Sequence, residues 1–257
     1  MKLENIRTEI ESPGIAWVTI SRPKALNALN GQTLEELKFE LARLSNDPAV
    51  RVVVLTGDGE KAFIAGADIS EMSQKTNHQG IAFARLGHEV TKLLELMPKP
   101  TIAAVNGFAL GGGTEMAIAC DFILASDNAQ FGQPEVGLGI LPRFVGWPMA
   151  KELIYSGRRI SADEALRLGL TNHVFPKAEF RAKVSEIARS IALQSAGAVS
   201  RAKMLMTESS ESAGLENKLD SEAHAFARIF GSHDQKEGMG AFLEKRKPSF
   251  EGLKEIS

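Results

Sequence analysis

Residues 101–142 read TIAAVNGFALGGGTEMAIACDFILASDNAQFGQPEVGLGILP, and the fold turns on how this stretch is read. Residues 101–105 form a short apolar strand, bounded by Pro100 and by the turn pair Asn106-Gly107. Three glycines follow, Gly111, Gly112 and Gly113, and open a small-residue helical run from Thr114 to about Cys120. Glycines before a helix leave bare backbone N–H groups that a ligand oxygen can approach closely. The helix dipole adds attraction for anionic oxygen. Glu115 falls in the first turn of that helix, and Glu135 follows Gln133-Pro134. Each feature has an ordinary use: a first-turn glutamate complements the dipole, a carboxylate after proline sits in a solvated loop, and a triple glycine makes a tight turn. Together, two carboxylates beside an amide cradle are what acid/base chemistry on a developing oxyanion needs.

Upstream, residues 6–21 alternate as a hairpin around Ser12-Pro13-Gly14. Thr33 and Glu36 have capping-box spacing for a helix through about Leu44, with Leu34, Leu37, Leu41 and Leu44 on one face. The β-branched run Val52-Val53-Val54-Leu55 predicts a strand buried on both faces. KAFIAGADISEM, residues 61–72, reads as a strand leading into a helix capped by Asp68, and Ala65-Gly66-Ala67 again offers accessible backbone. Residues 73–80 are polar and read as a mobile connection before a helix from about Ile81 to Met97.

Downstream, a strand at 122–125 and a helix at about 148–155, stopped by Gly157, continue the alternation. Ser161 and Glu164 have capping-box spacing for a short helix, and 171–175 is strand-like. Strands alternating with helices indicate an α/β core. From Phe180 onward no strand pattern is found, only helical runs at 180–193, 199–206, 215–230 and 233–245. This switch divides the chain into an α/β core at 1–178 and a helical region at 179–257.

A chain of 257 residues, 44% hydrophobic and 24% charged, buries a sizeable core without staples. The net charge of −2 gives no electrostatic pull toward nucleic acid or membrane. A single cysteine, Cys120, excludes an internal disulfide, and no apolar run approaches a membrane-spanning length. A cytoplasmic, soluble protein is expected. His78 and His88 lack partners at metal-ligand spacing, and no G-x-S-x-G elbow points to a serine hydrolase.

GFALGGGTEMAIACD followed by AQFGQPEVGLGI resembles the central signature of the crotonase, or enoyl-CoA hydratase/isomerase, superfamily, and the likeness runs from about Arg22 to Phe250. The pattern is most like that of short-chain enoyl-CoA hydratases. The resemblance implies an α/β spiral of strand-strand-helix units with a C-terminal all-helical region that trimerises, as a homotrimer or dimer of trimers. It implies addition of water to a 2-enoyl-CoA thioester, with coenzyme A as part of the substrate and no cofactor or metal. It assigns Glu115 and Glu135 to acid/base work and the amides of Ala67 and Gly112 to the oxyanion hole. Lys24, Ala25 and Leu26 in RPKALNALN, with Ala65, Asp68 and Ile69, match CoA-contacting positions; Phe242 and Lys245 match positions that meet the CoA adenine and phosphates. An enoyl-CoA isomerase, or another acyl-CoA enzyme on the same scaffold, is the rival reading.

Two departures stand out. Many hydratases of the family carry lysine where this chain has Ser70. Relatives also continue from the match to Pro142 with a glycine-rich segment of the form G-x-G-G-T-Q-R, whereas here Pro142 runs directly into Arg143. That segment helps place the attacking water in hydratases, so its shortening implies weak hydration or a CoA-binding paralogue.

Overall fold

A computed structural model of the chain describes residues 1–134, 141–209, 224, 226–227, 229–230 and 232–250. The first alternating segment forms the expected hairpin, β1 (Ile6–Glu11) and β2 (Ile15–Ile20), paired antiparallel from Ile6 opposite Ile20 to Glu11 opposite Ile15. After α1 (Gly31–Asn46), the β-branched run forms β3 (Val52–Gly57), buried along its whole length and parallel to β2. A short β4 (Ala62–Ile64) precedes α2 (Ile69–Met72) and α3 (Asn77–Leu96). The glycine-rich stretch supplies β5 (Thr101–Val105), β6 (Phe108–Leu110) and α4 (Gly112–Ile118). Next come β7 (Phe122–Ser126), β8 (Gln130–Gly132), α5 (Pro142–Val145) and α6 (Trp147–Ser156). The remaining elements are β9 (Arg159–Ser161), α7 (Ala162–Arg167), β10 (His173–Phe175), α8 (Phe180–Ala192), α9 (Ala196–Ser209) and α10 (His233–Leu243).

The strands make two sheets, a six-stranded one in the order β1-β2-β3-β5-β7-β10 and a four-stranded one in the order β4-β6-β8-β9. The long strands β3, β5 and β7 lie in the first sheet; each is followed by a short strand of the second, and then by helix. That repeat is the strand-strand-helix spiral. Successive side chains on a strand face opposite ways, so β3 sends Val53 and Leu55 into one core and Val52 and Val54 into another. The first core is shared with α1, α3 and α4; the second is closed by Phe180, Val184, Ala188 and Ala192 of α8. Burial on both faces explains the unbroken apolar run. Lys203 on α9 is tied into the sheet end, with Nζ 3.0 Å from Asp121 Oδ2 and donating to the carbonyls of Leu94 and Lys99.

Several local expectations are corrected. The cap of α1 is Asn30, whose Oδ1 accepts from the Thr33 N–H at 2.8 Å. Glu36 is instead fully buried and accepts from the N–H groups of Glu4 and Asn5, 3.0 and 2.7 Å away, fixing the entry to β1. Glu36→Ala is expected to leave two amides unpaired and to lower stability by about 1.5–3 kcal/mol, read as a lower urea midpoint with an unchanged slope. Helix α3 begins at Asn77, four residues before the expected start, because Thr76 and Gln79 form a reciprocal capping box. Residues 77–80 are therefore helical. Ser161 caps α7 through the Glu164 N–H, but the Glu164 carboxylate turns to Arg158 instead of closing the box. The helical run at 215–230 falls largely outside the described residues.

Candidate active site

Strands β4 and β6 are parallel neighbours, so the chain leaves both at the same edge of the second sheet. Crevices at the carboxyl ends of parallel strands are where α/β proteins bind ligands. Gly111 follows β6 with φ 50° and ψ −120°, a conformation that side chains do not tolerate. It turns the chain into α4 while its N–H donates to Gly132 O at 2.8 Å. Gly113 allows the close approach that follows, since a Cβ there would lie 2.0 Å from Ile64 O. Thr114 Oγ1, 2.6 Å from Ala109 O and 2.8 Å from Gly132 O, pins the helix start to β6 and β8. The N–H of Gly112 belongs to the first turn of α4, whose donors have no acceptor within the helix.

Opposite it, Ala67 bridges Leu29 in parallel register. The bonds of that bridge run from Leu29 N–H to Gly66 O and from Asp68 N–H to Leu29 O, each 2.8 Å. Its own N–H therefore faces away from Leu29. A Cβ on Gly66 would stand 3.2 Å from Leu110 O, so this segment lies against the end of β6. The structure thus brings the Ala67 and Gly112 segments together.

The loop carrying Lys24, Ala25 and Leu26 joins them. Leu26 and Asn27 both have positive φ, 51° and 57°, a conformation that costs energy unless the surroundings fix it. They do so here: Leu26 O accepts from Ala65 N–H at 3.2 Å, and the buried Asn27 side chain donates to Asp58 O and Ala62 O. Arg22 pairs with Asp68 at 2.8 Å and donates to Ala28 O. Lys24 and Ile69 are exposed at the rim.

Asp68 caps α2 as expected, accepting from Ser70 N–H. The Ser70 hydroxyl, and after it Arg22, holds the Asp68 carboxyl at about 2, below its ordinary 3.8. Its contribution to stability is therefore complete above about pH 4 and is lost as pH falls toward 2. Asp68→Asn is expected to flatten the acid limb of a plot of urea midpoint against pH; an unchanged limb would show that the pair adds nothing.

Glu115 is half-buried in the first turn of α4. Its Oε1 accepts from Gln133 Nε2 at 3.2 Å. Gln133 was not singled out in the sequence. It is 3% exposed, and its Oε1 has no hydrogen-bond partner among the described residues. Its only signal was its place two residues before Glu135, which itself lies outside the described residues. Phe242 and Lys245 are exposed. The helix that carries Phe242, α10, ends at Leu243, so Lys245 lies just beyond it with φ 55°; Gly238 of α10 packs on Phe250, whose carbonyl meets Arg51 before the start of β3. That is the opposite end of β3, about 20 Å of strand away from its carboxyl end.

A separate cavity of about 720 Å³ opens at the other end of α4, among Ile118, Phe122, Phe144, Ile191 and Met206, and none of the predicted site residues lines it. Among the described residues no group of three or more His, Cys, Asp or Glu side chains could hold a metal ion.

The structure therefore sets the ends of β4 and β6, the start of α4 and the Glu115 side chain beside one another within a spiral fold. Comparison with known proteins places that fold in a family. The enoyl-CoA hydratase/isomerase family model matches residues 10–253. The short-chain-enoyl-CoA hydratase of Clostridium acetobutylicum is 48% identical over 263 aligned positions, covering 99% of each chain. The crotonyl-CoA hydratase of Syntrophomonas wolfei is 47% identical, covering 97% of this chain and 99% of its own. The crystal structure of enoyl-CoA hydratase from Bacillus anthracis superimposes with a TM-score of 0.93 at 38% identity, covering 97% of this chain and 100% of that one. The chain belongs to the enoyl-CoA hydratase/isomerase, or crotonase, family. The alignment with the Clostridium protein has 263 positions against 257 residues here, so at least six of them have no counterpart in this chain.

Proposed function

We propose that the chain is an enoyl-CoA hydratase, adding water across the double bond of a short 2-enoyl-CoA thioester. The observation that carries this reading is the convergence of the Gly112 start of α4, the Ala65–Ala67 segment and the Glu115 carboxylate at the carboxyl ends of β4 and β6. Water attacks C3, the double-bond electrons move toward the thioester oxygen as an enolate, and C2 takes a proton. The N–H groups of Ala67 and Gly112 receive the oxyanion. Backbone donors suit the task because they are rigid and cannot ionise. Of Glu115 and Glu135, one takes the proton from water and the other delivers a proton to C2. The loop of Lys24, Ala25 and Leu26, with Ala65, Asp68 and Ile69, receives the CoA moiety, and its fixed positive-φ backbone supports that role. No cofactor takes part.

Phe242 and Lys245 reach the adenine end of a neighbouring subunit's ligand, in a homotrimer or dimer of trimers built through residues 179–257. Their exposure and their anchoring at the far end of β3 support this arrangement. The setting is cytoplasmic. Among the described residues no helix is long and apolar enough to cross a membrane.

One observation favours a second reading, a CoA-thioester-binding relative in which hydration is weak. Pro142 and Arg143 are consecutive residues of α5, and at least six positions of the alignment with the Clostridium protein have no residue in this chain. Product analysis on 2-enoyl and 3-enoyl thioesters separates these readings. A 3-hydroxyacyl-CoA from the 2-enoyl substrate supports the hydratase, a 2-enoyl product from the 3-enoyl substrate supports an isomerase, and tight binding without turnover supports the weakened relative.

A further inference from the structure

Strands β8 and β9 pair antiparallel, with Gln130 opposite Ser161, Phe131 opposite Ile160 and Gly132 opposite Arg159. Carrying that register two residues further sets Gln133 opposite Arg158 and Pro134 opposite Gly157. The packing agrees. A Cβ on Gly157 would lie 3.6 Å from Pro134 Cβ, and one on Gly132 would lie 3.7 Å from Arg158 O. Gly157 ends α6 with φ +63°, which lets the chain reverse against Pro134. Arg158 is then held from two helices. Its Nε is 2.8 Å from Glu152 on α6, and its terminal guanidinium nitrogen is 2.8 Å from Glu164 on α7. Its backbone N–H donates to Ser156 Oγ at 3.2 Å.

One of the two residues facing this turn touches the proposed catalytic carboxylate: Gln133 donates to Glu115. We infer that Arg158, clamped between Glu152 and Glu164 and with Gly157 beside it, is a positioning residue that sets the Gln133-Pro134 backbone and, through the Gln133 side chain, Glu115. The inference rests on the hydratase reading for its kinetic consequence but not for its geometry. It also accounts for Glu164, which leaves its capping box open to hold Arg158.

Arg158 is a third exposed, so its ion pairs add little to global stability. A positioning role and a merely structural one therefore part company. In the full chain, Arg158→Met is expected to lower kcat on crotonyl-CoA by about tenfold or more, toward the roughly 10²-fold that an ångström of misplacement costs. KM and Tm should be nearly unchanged. Arg158→Lys should recover part of the loss, and Glu164→Gln should show a smaller loss of the same kind. Wild-type kcat in Arg158→Met, or a loss matched by an equal drop in folded protein, would overturn the inference. If Arg158→Met does not fold, Glu164→Gln carries the same readouts. If the wild-type chain does not hydrate crotonyl-CoA, the hydratase reading fails separately, and crystal structures decide this one. The 3.2 Å contact from Gln133 to Glu115 should be present in the wild type and lost in the variant; its presence in both would overturn the inference.

Discussion

Replacing Glu115 by glutamine is expected to lower kcat by at least about 10², up to the 10⁴ that general acid/base catalysis contributes, with CoA-thioester affinity nearly intact. The side chain sits half-buried in the first turn of α4 and accepts from Gln133. An amide keeps that volume and can keep one hydrogen bond, so binding and fold are preserved. It cannot take up a proton from water. A loss confined to kcat is the signature of an interaction made only in the transition state, and 10² corresponds to about 2.7 kcal/mol of barrier. Glu135→Gln is expected to behave alike. Full activity in either variant would remove that residue from the mechanism.

The second large effect is expected at Gly113. An alanine Cβ there would meet Ile64 O at 2.0 Å, Ile64 C at 2.8 Å and Ile64 Cβ at 2.9 Å. Two of those atoms are backbone of β4, so the clash cannot be relieved by turning a side chain. The start of α4 has to move away from β4, and Gly112 N–H moves with it. With Gly112 N–H as the proposed oxyanion donor, whose loss costs about 10²–10³ in rate, Gly113→Ala should show a loss approaching that size, together with a lower Tm. Gly197 in α9 is the control, since nothing lies within 4 Å of a Cβ built there. Gly197→Ala should leave the rate unchanged and cost no stability. Wild-type activity in Gly113→Ala would mean that the spacing of β4 and α4 does not set the oxyanion site.

Much of this arrangement was legible in the sequence. Long strands announce themselves by composition, as Val52-Val53-Val54-Leu55 does, and the glycines at 111–113 mark a backbone that must turn and lie close to its neighbours. The second sheet was legible only at β4, the strand read at the start of residues 61–72. Its other members β6, β8 and β9 have three residues each, too few for a period to register, and they exist because their neighbours in the spiral supply the partners. Caps were legible only in part. Thr33 and Glu36 have capping-box spacing, yet Asn30 takes the cap and Glu36 closes onto β1, a contact across the fold that local spacing does not encode. Gln133 was missed for the same reason. Its importance comes from Glu115, eighteen residues earlier in the chain and 3.2 Å away in space. The positive-φ turn at Leu26-Asn27 carries no glycine to announce it; the acceptors of Asn27, Asp58 O and Ala62 O, hold it in place.

The most direct test is turnover of crotonyl-CoA by the full chain in ¹⁸O-labelled water. The account predicts 3-hydroxybutyryl-CoA carrying label at C3, formed by the wild-type protein and reduced at least about 10² in Glu115→Gln. Crotonyl-CoA that binds and is recovered unlabelled and unchanged would contradict it.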